Sequence, residues 1–185
     1  DGHRRLVRAV HDAGAKVFMQ LQHSGQFANR SLLPGGMPVG PVDVFSKKDP
    51  ARQTCRALTP NEVMDLADAF GATAALAVEA GYDGVELHGA HGYLLSQFLS
   101  PLANRRDDAW GGDFERRMAF PLAAIRAVRK ALGALPMVYR LSVDEFVDGG
   151  LTIEDMERIA PRLVEAGADM LHCSAGWGTG STFEK

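Results

Sequence analysis

Two imidazoles and a phenol lie within one short stretch of this sequence, at positions 88, 91 and 93. His88 ends a short, mostly apolar run, and His91 and Tyr93 open the long stretch that follows it. Imidazoles that converge on one point can donate hydrogen bonds to a carbonyl or nitro oxygen and polarise it. His88 and His91 are therefore candidate substrate-binding residues. The alternatives are structural roles for the histidines and packing for the Tyr93 ring.

Two further polar side chains, Gln20 and Arg140, lie inside short runs whose other residues are mostly apolar. Such a group is costly to bury unless a partner satisfies its hydrogen bonds. Each of these two side chains therefore needs a hydrogen-bond partner, which the sequence alone does not identify. For Arg140, one alternative is a buried ion pair with Glu86 or Asp144.

These residues fall on a unit that occurs four times: a helix, a glycine stop, and a short apolar strand that ends in polar residues. Glycine ends a helix at low steric cost, and the apolar run that follows suits a strand covered on both faces. The four strands are predicted at residues 17–23, 84–88, 137–142 and 170–174. Strands that alternate with helices predict an α/β fold with a parallel sheet.

The predicted helices are placed by their caps and by their apolar spacing. Capping-box sequences begin at Thr59 and at Thr152. A third helix follows from apolar residues at three- or four-residue steps, and Pro121 inside it predicts a kink or a late start. The predicted helices cover residues 3–12, 60–80, 114–132 and 153–165.

Two of the connections that follow strands are very long, at residues 24–58 and 89–113, whereas those that lead into strands are short. Insertions at one end of the strands are typical of a barrel with its active site on that face. A complete (β/α)8 barrel has eight strands and about 250 residues. We therefore expect a partial (β/α)8 TIM-type barrel, about strands three to six with their helices. Residues 1–185 would form a single incomplete barrel domain, a fragment of a longer chain.

The composition excludes several classes of function. A formal net charge of −3 gives no field that would attract nucleic acid or a membrane surface. No apolar run approaches the roughly 20 residues of a membrane span, and the N-terminus has no signal-peptide pattern. Cys55 and Cys173 lack the C-x-x-C spacing and are expected to be free thiols. The sequence therefore predicts a cytoplasmic protein.

The block from His88 to Gly112 closely resembles the signature of the Old Yellow Enzyme family, FMN-dependent ene-reductases of the NADH:flavin oxidoreductase class. The resemblance extends over nearly the whole chain, and this block is its most specific part. It implies FMN as cofactor and NADH or NADPH as reductant. The implied substrate is a small activated alkene: an enone, an enoate or an enoyl thioester. No metal is implied, and a homo-oligomer is compatible with the resemblance.

The same resemblance implies a role for each candidate residue. His88 and His91 would hold the activating oxygen of the substrate, and Tyr93 would protonate the carbon next to the one that receives hydride. Gln20 would hydrogen-bond the pyrimidine edge of the flavin. Arg140 would stand near the flavin N1, where a cation stabilises the negative charge of the reduced ring.

Two other classes of function remain open at this point. A metal-dependent barrel hydrolase could use His23, His88 and His91 as ligands, although such sites usually recruit carboxylates and Glu86 is the only obvious one at these strand ends. A non-catalytic barrel fragment is the second alternative. The strands expected to bind the FMN phosphate, seven and eight, are not among the four predicted.

Overall fold

The computed structural model describes residues 1–178, and residues 179–185 of the predicted domain lie outside that range. Each of the four predicted strands follows a helix, as predicted. In chain order the elements are α1 (Gly2–Asp12), β1 (Phe18–Leu21), β2 (Val39–Gly40), β3 (Val44–Phe45), β4 (Gln53–Ala57), α2 (Pro60–Ala80), β5 (Gly84–Gly89), α3 (Leu94–Leu99), α4 (Phe114–Leu132), β6 (Met137–Ser142), α5 (Ile153–Ala166) and β7 (Met170–Ser174).

The four predicted strands form one parallel sheet in the order β1, β5, β6, β7, which confirms the α/β class. Side chains alternate between the two faces of a sheet, so residues that are paired in a parallel register point to the same side. One side, called the polar face below, carries Gln20, Glu86, His88, Arg140, Ser142, His172 and Ser174. The other side is apolar, and Leu87, Tyr139 and Leu141 are buried on it.

The helices begin and end where the sequence signals predict. The Thr59 hydroxyl accepts a hydrogen bond from the Glu62 N–H at 3.3 Å, and the Glu62 carboxylate accepts one from the Thr59 N–H at 2.8 Å. A capping box also opens α5 at Thr152. Helices α2, α4 and α5 contribute buried side chains to one core that includes the apolar side of the sheet. None of the helices within residues 1–178 is long and apolar enough to cross a membrane.

Helix α4 does not start late, so the late start, one of the two outcomes that Pro121 predicted, is wrong. It begins at Phe114, where the Asp113 side chain accepts a hydrogen bond from the Arg116 N–H at 3.0 Å, and it continues through Pro121. A proline inside a helix removes one N–H donor and costs about 3 kcal/mol or more. Pro121 is buried, and so are its neighbours Phe120 and Leu122. We infer that packing in the core offsets the cost of the proline.

The two long connections contain regular structure that the sequence patterns did not predict. The first holds a small sheet in the order β2, β4, β3, and the second holds the buried helix α3. Arg106, in the second connection, donates to the carbonyl oxygens of Pro41 and Leu58 in the first, both at 2.7 Å. It also pairs with Asp108. The two connections are therefore tied together by one guanidinium.

Both cysteines are free thiols, as predicted. Cys55 is buried, and burial raises the pKa of its thiol to about 11. Cys173 is exposed on β7. A thiol with so high a pKa is a poor nucleophile, so Cys55 is a packing residue.

A fully buried carboxyl joins the loops that follow β5 and β6. Glu145 is 0% exposed, and its Oε2 accepts hydrogen bonds from the Ser100 hydroxyl at 2.7 Å and from the Leu151 N–H at 2.9 Å. Its Oε1 is buried and has no hydrogen-bond partner within residues 1–178. Burial raises the pKa of Glu145 to about 7, although both hydrogen bonds favour the charged form.

This pKa predicts a pH-dependent contribution to stability. The folded protein holds the Glu145 proton up to about pH 7, whereas an unfolded chain releases it near pH 4.5. The free energy of unfolding should therefore fall as pH rises between these values, by about 3 kcal/mol from this group. Urea unfolding measures this free energy for wild type and for Glu145→Gln at pH 5 and at pH 8. Wild type should lose about 3 kcal/mol more than Glu145→Gln between the two pH values. The exposed Glu157→Gln is the matched control. An identical pH profile for wild type and Glu145→Gln would contradict the prediction.

Candidate active site

The structure brings His88, His91 and Tyr93 together at the end of β5. The ring centroids of His88 and His91 are 5.2 Å apart, and those of His88 and Tyr93 are 4.9 Å apart. The His88 ring meets both neighbours edge-on, at interplanar angles of 76° and 85°. The spacing in the sequence therefore corresponds to a real cluster of two imidazoles and a phenol.

A tight turn with unfavourable backbone geometry holds this cluster. The Tyr93 N–H donates to the Ala90 carbonyl at 3.2 Å, and both central residues have positive φ, 58° at His91 and 70° at Gly92. This conformation suits glycine but is strained for histidine. A Cβ at Gly92 would lie 3.0 Å from the Phe27 ring and 3.3 Å from the Trp177 ring, so the turn is also enclosed.

His88 is a neutral hydrogen-bond donor at neutral pH. Burial, with smaller effects from His91 and Arg140, lowers its pKa to about 4. The Ala90 N–H donates to His88 Nδ1 at 3.3 Å, so this nitrogen must be unprotonated. In a neutral imidazole the proton then lies on Nε2. His88 can therefore donate a hydrogen bond from Nε2 to an oxygen without carrying a charge.

His91 links the turn to the ends of β6 and β7. Its Nε2 lies 2.6 Å from the Ser174 hydroxyl, and its backbone N–H donates to the Ser142 hydroxyl at 2.9 Å. Burial, and then the positive charge of Arg140, lowers the pKa of His91. Neither serine was singled out from the sequence, and the only signal was their position at the polar ends of the strands. Both serines help to orient the turn.

Arg140 lies on the polar face, in register with His88 on one side and His172 on the other. Its Nη2 donates to the Ser174 hydroxyl at 3.3 Å, and its Nε is buried without a hydrogen-bond partner within residues 1–178. Arg140 forms no ion pair with Glu86 or Asp144 within residues 1–178, although the sequence allowed either pair. A buried donor without a partner is costly, so Arg140 fits a ligand that offers acceptor atoms.

Gln20 lies on the same face, in register with Glu86. Its Nε2 donates to the Glu86 carboxylate, and His172 Nδ1 lies 2.8 Å from the other oxygen of that carboxylate. The structure therefore places all five candidate residues on or beside the polar face: His88, His91, Tyr93, Gln20 and Arg140.

Gln97 is a positioning residue that sequence reasoning missed. It is completely buried in α3, and its Nε2 donates to the Gly92 carbonyl at 2.6 Å. Its Oε1 accepts a hydrogen bond from the Gln26 N–H at 3.2 Å. The one signal in the sequence was an amide in a mostly apolar stretch. Gln97 thus fixes the turn against the connection that follows β1.

The metal-dependent alternative gains no support from the geometry. Within residues 1–178, no three histidine, cysteine, aspartate or glutamate side chains converge so that they could hold a metal ion. His23 Nδ1 accepts a hydrogen bond from the Gly25 N–H at 3.0 Å, and His88 Nδ1 accepts one from Ala90.

Comparison with known proteins assigns the chain to a family. The model of the NADH:flavin oxidoreductase / NADH oxidase family matches residues 1–176. A curated NADH oxidase from Thermoanaerobacter brockii is 47% identical over 179 residues, which are 95% of this chain and 27% of that protein. A curated NADPH dehydrogenase from Geobacillus sp. (strain WCH70) is 38% identical over 95% of this chain and 50% of its own length. The chain thus spans about a quarter to a half of these relatives.

A solved structure of a 2-naphthoyl-CoA reductase in complex with 2-naphthoyl-CoA is also similar to this chain. It superimposes with a TM-score of 0.85 at 31% identity, over 95% of this chain and 28% of that one. The fold and the sequence therefore indicate the same relationship.

The environment of His88 predicts its titration. Its side chain should titrate near pH 4 in an NMR pH series, because burial and nearby positive charge disfavour the imidazolium. The folded-state value lies below the ordinary value of 6.5, so the linked stability is fully present above pH 6.5 and is lost as pH falls to about 4. A His88 midpoint at or above 6.5 would show that its ring is not desolvated.

Proposed function

The chain belongs to the NADH:flavin oxidoreductase / NADH oxidase family, and from this membership we propose that it takes part in the FMN-dependent reduction of activated C=C bonds. Reducing equivalents come from NADH or NADPH. The observation that carries the proposal is the cluster of His88, His91 and Tyr93 at the end of β5. His88 and His91 bind the substrate, Tyr93 is the catalytic acid, and Gln20 and Arg140 bind the cofactor.

The polar face offers groups that fit a flavin. Arg140 has a buried Nε without a partner within residues 1–178. The flavin N1 region gains negative charge on reduction, and a cation beside it stabilises that charge. Gln20 supplies an amide that can hydrogen-bond the pyrimidine edge. Bound FMN supplies hydride transfer, and the protein residues provide orientation and protons.

The substrate contacts follow from the protonation states of the cluster. Neutral His88 directs its Nε2–H at a carbonyl or carboxyl oxygen, with His91 as the second group at that oxygen. Hydrogen bonds to this oxygen withdraw electron density from the conjugated alkene and stabilise the negative charge that develops there. Tyr93 Oη then delivers a proton to the α-carbon.

The proposed substrate class is an enone, an enoate or an enoyl thioester. Each of these places an oxygen in conjugation with the C=C bond, which is what His88 and His91 require. The solved relative in complex with 2-naphthoyl-CoA is named a reductase of that thioester. This name supports the thioester among the three classes.

We also propose that the sheet is part of an eight-stranded barrel, as about strands three to six, with residues 1–185 as one incomplete FMN-binding domain. Two observations support this. The sheet within residues 1–178 has four strands, with β1 and β7 at its edges. The chain also spans only 27% to 50% of the curated relatives described above.

The role of Tyr93 is tested by Tyr93→Phe in the flavin-loaded protein. The substitution keeps the ring and removes only the acid. Flavin reduction by NADH or NADPH should keep its rate, while alkene reduction should slow by roughly 10²-fold or more. Rapid mixing measures the two half-reactions separately. Tyr82→Phe is the control, because the Tyr82 hydroxyl bonds His3 away from the cluster. An unchanged rate of alkene reduction would make Tyr93 a packing residue.

The role of Arg140 is tested by Arg140→Ala. Loss of a cation next to the flavin should lower the reduction potential of the flavin, its occupancy, or both. Spectroelectrochemical titration measures the potential, and absorbance measures the occupancy. Arg126→Ala removes an exposed arginine from α4 and should change neither quantity. Full occupancy with an unchanged potential would indicate that Arg140 is structural.

A further inference from the structure

Glu86 is the carboxylate at the centre of the polar face, and the roles proposed above do not use it. Its Oε1 accepts a hydrogen bond from Gln20 Nε2, and its Oε2 lies 2.8 Å from His172 Nδ1. Its side chain is only 15% exposed. Its one ion-pair partner within residues 1–178 is His172.

The strand register explains why Glu86 reaches these two residues. Gln20 is its direct partner on β1, and Val138 is its direct partner on β6. Val138 has no polar group to compete for the carboxylate, so the second oxygen reaches past β6 to His172 on β7. Glu86 thereby links three strands of the sheet through side-chain contacts.

A carboxylate accepts hydrogen bonds and does not donate them. The Gln20 amide must therefore turn its NH2 group toward Glu86, which leaves its carbonyl Oε1 as the free group. By the same argument, His172 must carry a proton on Nδ1, and in its neutral form it leaves Nε2 as an acceptor. One carboxylate thus determines the orientation of an amide and the tautomer of an imidazole.

We propose that Glu86 is a positioning residue that makes Gln20 a hydrogen-bond acceptor toward the cofactor. This rests on the proposed function, in which Gln20 meets the pyrimidine edge of FMN. That edge has one N–H donor, at N3, between two carbonyl groups. An acceptor at Gln20 selects the N3–H, whereas a reversed amide would direct its NH2 group at this donor.

Flavin binding to the apoprotein of the complete barrel tests the proposal with two probes, FMN and its N3-methyl analogue. In wild type the N3-methyl analogue should bind about tenfold more weakly, because one hydrogen bond is lost. In Glu86→Gln the partner of Gln20 can both donate and accept, so the amide is free to reverse. The preference for FMN over the analogue should then fall to about threefold or less. Gln20→Ala should abolish it.

Glu157→Gln is the matched control, because this exposed glutamate on α5 lies outside the polar face. It should keep the tenfold preference. A full tenfold preference in Glu86→Gln would overturn the proposal, and so would equal binding of both flavins by wild type.

A second measurement needs neither flavin nor a variant. Nitrogen-15 NMR of the wild-type protein should show neutral His172 protonated on Nδ1, and slow exchange of the Gln20 side-chain NH2. Protonation of neutral His172 on Nε2 would overturn the assignment of Glu86. Failure of the complete barrel to bind either flavin would instead contradict the proposed function, and the NMR result would then decide the role of Glu86 alone.

Discussion

The parallel register of β1, β5, β6 and β7 is the constraint from which the site follows. Paired residues on parallel strands face the same side, so Gln20, Glu86, His88 and Arg140 share one face because their strands are aligned in this way. A shift of one residue in any strand would turn its polar side chains toward the helices. Such a shift would also expose side chains like Leu87, which is completely buried. Burial of the apolar side therefore keeps the polar face in place, and the core and the site depend on the same alignment.

The strained turn after β5 shows how the surrounding structure maintains the site. A histidine with positive φ is unfavourable by itself, and such strain persists only where neighbours impose it. Here Gln97 holds the Gly92 carbonyl, Ser142 holds the His91 N–H, and the Gly178 N–H donates to the His91 carbonyl at 3.1 Å. These partners come from α3, β6 and the segment after β7. The turn is therefore positioned by elements that are far apart in sequence.

The sequence predicted the regular elements well, because their signals are local. Apolar runs after glycine stops identified the four strands, and the capping boxes at Thr59 and Thr152 identified two helices. Helix α3 and the strands of the small sheet were missed, since their residues lie in stretches read as loops. The late start predicted from Pro121 was wrong because the cost of a proline is local, whereas the packing that offsets it is tertiary. Likewise, the convergence of His88, His91 and Tyr93 was predicted, but the serines and Gln97 that orient them depend on the register and on α3.

The electrostatics of the polar face depend on two opposite charges that do not pair. Glu86 and Arg140 lie on adjacent strands but not in direct register, since Glu86 faces Val138 and Arg140 faces His88. Gln20 and His172 contact the two oxygens of the Glu86 carboxylate. The Arg140 guanidinium therefore keeps N–H donors available for a ligand, and its positive charge still lowers the pKa values of His88 and His91. A direct ion pair would satisfy both groups and leave neither for binding. It would also reduce the positive potential that, together with burial, keeps His88 neutral. By engaging Glu86 elsewhere, the fold leaves Arg140 without an ion-pair partner within residues 1–178 and keeps His88 a neutral donor, and these are the groups that the proposed function assigns to the cofactor and the substrate.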